Sequence, residues 1–84
     1  MTITIMFFAS IREATGVASL ALPYQAGMKV SGLIDLIAAE LGKDCAGVLT
    51  QENIRVAVNQ ELTHEDLLLK DGDEVAYFPP VTGG

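Results

Sequence analysis

The clearest helical signal in this chain of 84 residues is one stretch, residues 30–41, where Val30, Leu33, Ile34, Ile37 and Leu41 recur at helical spacing. Gly42 stands where a C-terminal cap belongs, while Lys29 and Ser31 compete as the start signal and Gly32 weakens that end. Elsewhere the apolar residues alternate or come in short runs. A single amphipathic helix buries its stripe by covering one face of one sheet, so the fold expected is a two-layer α+β domain.

The strands follow from alternation. Thr2 and Thr4 take one face of the first strand and Ile3 and Ile5 the other; the phase puts Phe7 with the isoleucines and Met6 and Phe8 opposite. Residues 10–16 read as a turn or helical turn stopped by Gly16, and Val17 to Leu22 as a second strand ended by Pro23. Residues 43–53 read as irregular or as a short helical turn. Ile54, Val56 and Val58 mark a third strand, Leu67 to Leu69 a short fourth, Lys70-Asp71-Gly72-Asp73 a turn, and Val75 to Phe78 a last strand stopped by Pro79-Pro80. This order fits a β-grasp (ubiquitin-like) roll, a mixed sheet of four to five strands on one main helix, with the first and last strands side by side in its centre. Residues 1–78 form the domain and 79–84 a flexible Gly-Gly tail.

Length and charge narrow the function classes. A single domain of this size buries only ~60–65% of its unfolded surface, yet half of the residues are hydrophobic, which suits a folded core. Eleven acidic residues against five Lys and Arg give a net charge of −6. That acidity disfavours nucleic acid and anionic membrane surfaces and points to a basic protein partner. No apolar run approaches a membrane span, and the short apolar N-terminus lacks the basic region and cleavage pattern of a signal peptide. The one cysteine, Cys45, cannot form an internal disulfide, which fits a cytoplasmic location.

No catalytic constellation is visible. Cys45 and the one histidine, His64, could form a nucleophile–base pair, but no local signature supports it; the plainer reading is a half-buried small residue and a loop residue. Asp71-Gly72-Asp73-Glu74 lacks the spaced oxygen ligands of a calcium loop and reads as a hairpin turn, and Glu65-Asp66 as a solvated pair at a turn. No metal or cofactor site is expected. Two other features stand out. Strand phase gathers Phe8 and Phe78 with Met6, Ala57 and Ala76 on the sheet face away from the helix, where Leu62 can join them. A slip of one residue would instead turn Phe7 and Tyr77 outward. The second feature is the end of the chain: Pro79-Pro80 holds the backbone extended, Val81 and Thr82 follow, and Gly83-Gly84 carries an unhindered carboxylate.

Together these residues resemble the MoaD-type family, the small sulfur-carrier subunits of molybdopterin synthase. The matching pieces are Phe7-Phe8-Ala9 with Arg12-Glu13 and Gly16, then Val56-Ala57-Val58-Asn59-Gln60, then the block from Leu69-Lys70-Asp71-Gly72-Asp73-Glu74 through Val75-Ala76-Tyr77-Phe78 to Pro79-Pro80-Val81-Thr82-Gly83-Gly84. Tyr77 departs from the pattern, which commonly has Phe there. The resemblance implies a β-grasp fold and a carrier that is not an enzyme by itself. An E1-like adenylating enzyme uses ATP to convert the Gly84 carboxylate to an acyl-adenylate, and a persulfide donor then supplies sulfur to make a thiocarboxylate. The large synthase subunit, in a heterotetramer of two large and two small subunits, accepts the tail and passes the sulfur to cyclic pyranopterin monophosphate. On this reading Gly84 bears the sulfur and Gly83 is its slender neighbour. Pro79, Pro80, Val81 and Thr82 are the docking stalk, Phe8, Leu62 and Phe78 anchor the partner, and Arg12 is a polar contact. Two other readings use the same residues: a carrier for thiamine synthesis or tRNA thiolation, and a non-covalent ubiquitin-like module with an inert tail.

Overall fold

Alternating burial along the first strand sets the layering. In β1 (Thr2–Phe7), Ile3, Ile5 and Phe7 are buried while Thr2 and Thr4 are exposed. The computed structural model describes residues 1–51, 53–63 and 65–79. After β1 come α1 (Ala9–Thr15), β2 (Ser19–Pro23), a single 3₁₀ turn (Val30–Gly32) leading into α2 (Leu33–Leu41), α3 (Lys43–Leu49), β3 (Arg55–Val58), β4 (Glu61–Thr63) and β5 (Glu74–Phe78). The strands form one mixed sheet in the order β2-β1-β5-β3-β4. The first and last strands are the central neighbours, as expected, and they run parallel, with Ile5 opposite Val75 and Phe7 opposite Tyr77. Every other pairing is antiparallel. This is the α+β, β-grasp architecture.

The helices all feed one core. Ile11 of α1, Leu33 and Ile37 of α2, and Leu49 of α3 join Ile3, Ile5, Phe7, Leu22, Leu69, Val75 and Tyr77 in a single cluster. All three helices therefore lie on the same side of the sheet. Gly16 (φ +80°) ends α1 by donating its N–H to the Arg12 carbonyl at 2.9 Å, and Gly42 (φ +98°) ends α2 by donating to Ala38 at 2.8 Å. Both use a left-handed backbone region that a side chain disfavours. Among the described residues no helix is long and apolar enough to cross a membrane.

Three local expectations change. Residues 43–49 form a regular helix, α3, which packs against both α1 and α2 and buries Ala46 and Leu49. The start of α2 is not a local cap: the Ser31 N–H and hydroxyl both donate to the carboxylate of Asp66, at 2.8 and 2.7 Å. The fourth strand is not Leu67–Leu69 but Glu61–Thr63, immediately after β3. Asn59 and Gln60 both take positive φ, 52° and 71°, which makes the tight mirror-image turn that matches strand twist and folds β4 straight back onto β3. Leu67–Leu69 instead makes a single antiparallel bridge, Leu68 opposite Lys29, through Val30 N–H to Leu67 O at 3.1 Å and Leu69 N–H to Met28 O at 2.8 Å.

Candidate functional site

Because the helices cover one face only, the other face of the sheet is open. Register assigns its side chains. One row crosses all five strands: Ser19, Met6, Ala76, Ala57 and Leu62, each opposite the next. The neighbouring row holds Phe78 with Arg55 opposite it, and Phe8 at the end of β1. Phe8 continues the ladder, since its N–H donates to the Tyr77 carbonyl at 3.2 Å, before Ala9 (φ 52°) turns the chain into α1. The strand phase expected from sequence holds: Phe7 and Tyr77 are 1% exposed, while Phe8 and Leu62 are 45% and 54% exposed.

The face has a shape as well as a composition. Its centre is two alanines, and Ala57 is buried although no helix covers it, so the larger residues around it rise above a shallow floor. Phe78 and Met6 are half-buried beside that floor, and Phe8 and Leu62 stand at its margins. An exposed apolar cluster of this kind on a small acidic domain marks an interaction surface.

β1 and β5 are parallel, so both end at the same side of the sheet. Phe8 and Phe78 therefore stand at the end of the sheet where β5 passes into Pro79. Arg12 is exposed one helical turn beyond Phe8, with its N–H on the Phe8 carbonyl at 3.3 Å. The expected anchors Phe8, Leu62 and Phe78 thus share one face, and Arg12 lies at its tail side. Arg55 was not anticipated there; the signal was its odd-numbered place between the buried-phase residues Ile54, Val56 and Val58. Pro80, Val81, Thr82, Gly83 and Gly84, the rest of the expected stalk and the sulfur-bearing end, lie outside the described residues, as does His64. Cys45 is half-buried and its thiol donates to the Ala14 carbonyl at 3.7 Å.

At the opposite end of the face, the 70–73 turn is held by acidic side chains. Asp71 accepts the Thr2 N–H at 3.1 Å, and Asp73 accepts the Lys70 N–H at 2.8 Å and the Asn59 amide at 2.9 Å. These carboxylates serve the fold as turn acceptors, but the turn closes no hairpin: it leads from the 67–69 segment into β5, whose partners are β1 and β3.

Comparison with known proteins places these features. Residues 5–84 match the ThiS family. The chain is 40% identical over 82 residues to the molybdopterin synthase sulfur carrier subunit of Escherichia coli, covering 98% of this chain and 99% of that one. It is 35% identical over 82 residues to the protein of the same name from Haemophilus influenzae, again covering 98% and 99%. Its fold is similar to that of small archaeal modifier protein 1 of Haloferax volcanii, with a TM-score of 0.77 over 95% of this chain and 98% of the other at 23% identity.

Proposed function

The chain belongs to the ThiS family, and from that premise we propose that it is the sulfur-carrier subunit of a molybdopterin synthase, working through the carboxylate of Gly84. The observation that carries this reading is a convergence. The open apolar face and the exit of the tail meet at one side of the sheet, through the parallel pairing of β1 and β5. A protein seated on Phe8, Phe78 and Leu62 is thereby positioned to receive the segment that follows Pro79.

The chemistry follows from the end group. A carboxylate is a poor electrophile, so it must first be activated. Gly84 oxygen attacks the α-phosphorus of ATP, pyrophosphate leaves, and an acyl-adenylate forms on an E1-like enzyme. A persulfide sulfur then attacks the acyl carbon and AMP leaves. Reductive cleavage of the resulting sulfur–sulfur bond by a thiol frees the thiocarboxylate. The thiocarboxylate is a strong nucleophile and stays ionised at neutral pH, so the carrier needs no acid or base of its own. The large subunit supplies those groups and the pterin substrate, in a complex of two large and two small subunits in the cytoplasm. Gly83 and Gly84 have no side chains to obstruct a narrow site, and Pro79, Pro80, Val81 and Thr82 form the stalk that reaches into it.

The test is mass spectrometry of the full chain after incubation with ATP, the activating enzyme and a sulfur source. The expected result is the mass gain of one oxygen replaced by sulfur, followed by molybdopterin formation when the large subunit and pterin precursor are added. A chain that gains sulfur but supports only thiamine or tRNA thiolation would move the acceptor assignment. A chain that gains none, or that is fully active without Gly84, overturns the carrier reading in favour of an inert-tail module.

A further inference from the structure

We propose that Arg55 sets the register of the docked partner at the root of the tail, by pairing with a carboxylate on the partner's surface. The proposal rests on the sulfur-carrier reading and adds to it a residue and a partner chemistry. The strands of the open face carry two charged side chains among the described residues, and they stand at opposite ends. Glu74 lies across from Thr4, beside the acidic turn of Asp71 and Asp73, and Arg55 lies across from Phe78, where the tail departs. The face therefore runs from acidic, through an apolar floor, to cationic, on a chain whose net charge is −6.

That polarity constrains what can sit on it. A uniformly basic partner would suit the Glu74 end and repel Arg55. Docking over Phe78 strips water from the guanidinium beside it, and a desolvated charge is tolerated only when paired. The partner must then place an acidic group at this end. A carboxylate matches the planar fork of arginine with two parallel hydrogen bonds, which fixes orientation as well as adding affinity. Two opposite charges on one face also allow only one direction of seating, and the direction matters because the tail must point into the partner's site.

Arg55 acts on docking and not on the reacting carbon. Gly84 follows Phe78 by six residues, and an extended segment of that length spans about 20 Å. A side chain at the Phe78 level cannot accompany the terminal carbonyl into a site that deep. Arg55 is a positioning residue, and its loss should appear in binding with the chemical step intact.

The experiment uses the full chain, as the thiocarboxylate, with the large synthase subunit. Dissociation constants and single-turnover sulfur transfer are measured for the unmodified protein, Arg55→Lys, Arg55→Met and Arg55→Glu across a salt series. Arg55→Met should weaken binding by about 30-fold, as for one partner of a desolvated pair. Arg55→Glu should weaken it further and Arg55→Lys less. Transfer at saturating large subunit should stay within a few-fold of normal, and Arg55→Met should flatten the salt dependence of binding. Normal affinity of Arg55→Met, or loss of the saturated rate in a folded Arg55 variant, overturns the proposal. So does sedimentation showing that the face instead pairs two copies of this chain, Arg55 against the Asp71–Glu74 end. If the unmodified chain neither binds the large subunit nor transfers sulfur, the carrier reading itself fails, an outcome distinct from a defect confined to the Arg55 variants.

Discussion

Phe7 and Tyr77 face each other across the central parallel pair, with ring centroids 6.2 Å apart and planes at 20°. Both are buried, and the Tyr77 hydroxyl has no hydrogen-bond partner among the described residues. A buried, unsatisfied hydroxyl costs about 1–3 kcal/mol. Tyr77→Phe keeps the ring and removes that oxygen, so it should raise stability by about 1 kcal/mol or more, read as a higher midpoint in urea. A variant less stable than the parent would mean that the hydroxyl has a partner.

The same hydroxyl predicts an alkaline limit. Burial pushes the Tyr77 phenol well above its ordinary value of 10.0. The folded state then holds a proton that the unfolded chain releases, so stability is full below pH 10 and declines as pH rises beyond it. Urea midpoints from pH 8 to 11 should fall more steeply for the parent than for Tyr77→Phe, with Tyr24 the remaining tyrosine in both.

Asp66 gives the opposite sign. Hydrogen bonds from the backbone N–H and then the hydroxyl of Ser31 hold its carboxylate below the ordinary 3.8, with Lys29 adding a smaller attraction. A lowered carboxylate stabilises the fold above its unfolded value, and the contribution is lost as pH falls through 3.8 and below. Asp66→Ala should have a flatter acid profile than the parent, and its amide-exchange protection should drop first at the start of α2. Equal acid profiles would remove Asp66 as the anchor of that helix.

Gln60 occupies the left-handed region at φ 71° as the second residue of the β3–β4 turn. A side chain there costs about 1–2 kcal/mol, partly offset by the greater chain entropy of glycine. Gln60→Gly should therefore stabilise modestly. Asn59→Ala should destabilise by about 1–2 kcal/mol, since its side chain donates to Asp73 at 2.9 Å and accepts the Glu74 N–H at 3.0 Å. Thermal melts of the two variants should move in opposite directions.

The buried phase of β1, β3 and β5, the central pairing and the main helix, expected over residues 30–41 and α-helical from Leu33 after a 3₁₀ turn, were legible because each rests on a run of alternating or 3.6-spaced apolar residues. What was not legible depends on partners distant in sequence. The cap of the α2 start comes from Asp66, 35 residues away. The β4 strand is three residues long and follows a turn whose Asn-Gln pair lacks the glycine that usually signals it. α3 has Gly47 in its middle and forms against α1 and α2. In the site, Phe8, Leu62 and Phe78 could be read from phase, whereas the role of Arg55 emerged only when register set it beside Phe78.

Phe7 and Phe8 are adjacent in sequence and opposite in consequence. Phe7 is 1% exposed in the core and Phe8 is 45% exposed on the open face. Phe7→Ala should cost about 3–5 kcal/mol of stability by opening a cavity against Tyr77. That is a large part of what a domain this small has to spare. Phe8→Ala removes no core contact and should leave the melting curve within a few degrees of the parent. Its effect should instead fall on binding. Aromatic anchors near the centre of an interface lose about 2 kcal/mol or more on truncation, roughly 30-fold in affinity, whereas rim contacts lose much less. Phe78 is half-buried, whereas Phe8 and Leu62 are exposed, so the losses should rank Phe78→Ala first and the other two after it, measured by calorimetric titration against the large subunit. Circular dichroism on the same samples separates docking from folding. Normal binding by Phe78→Ala in a folded chain would show that the partner does not sit on this face.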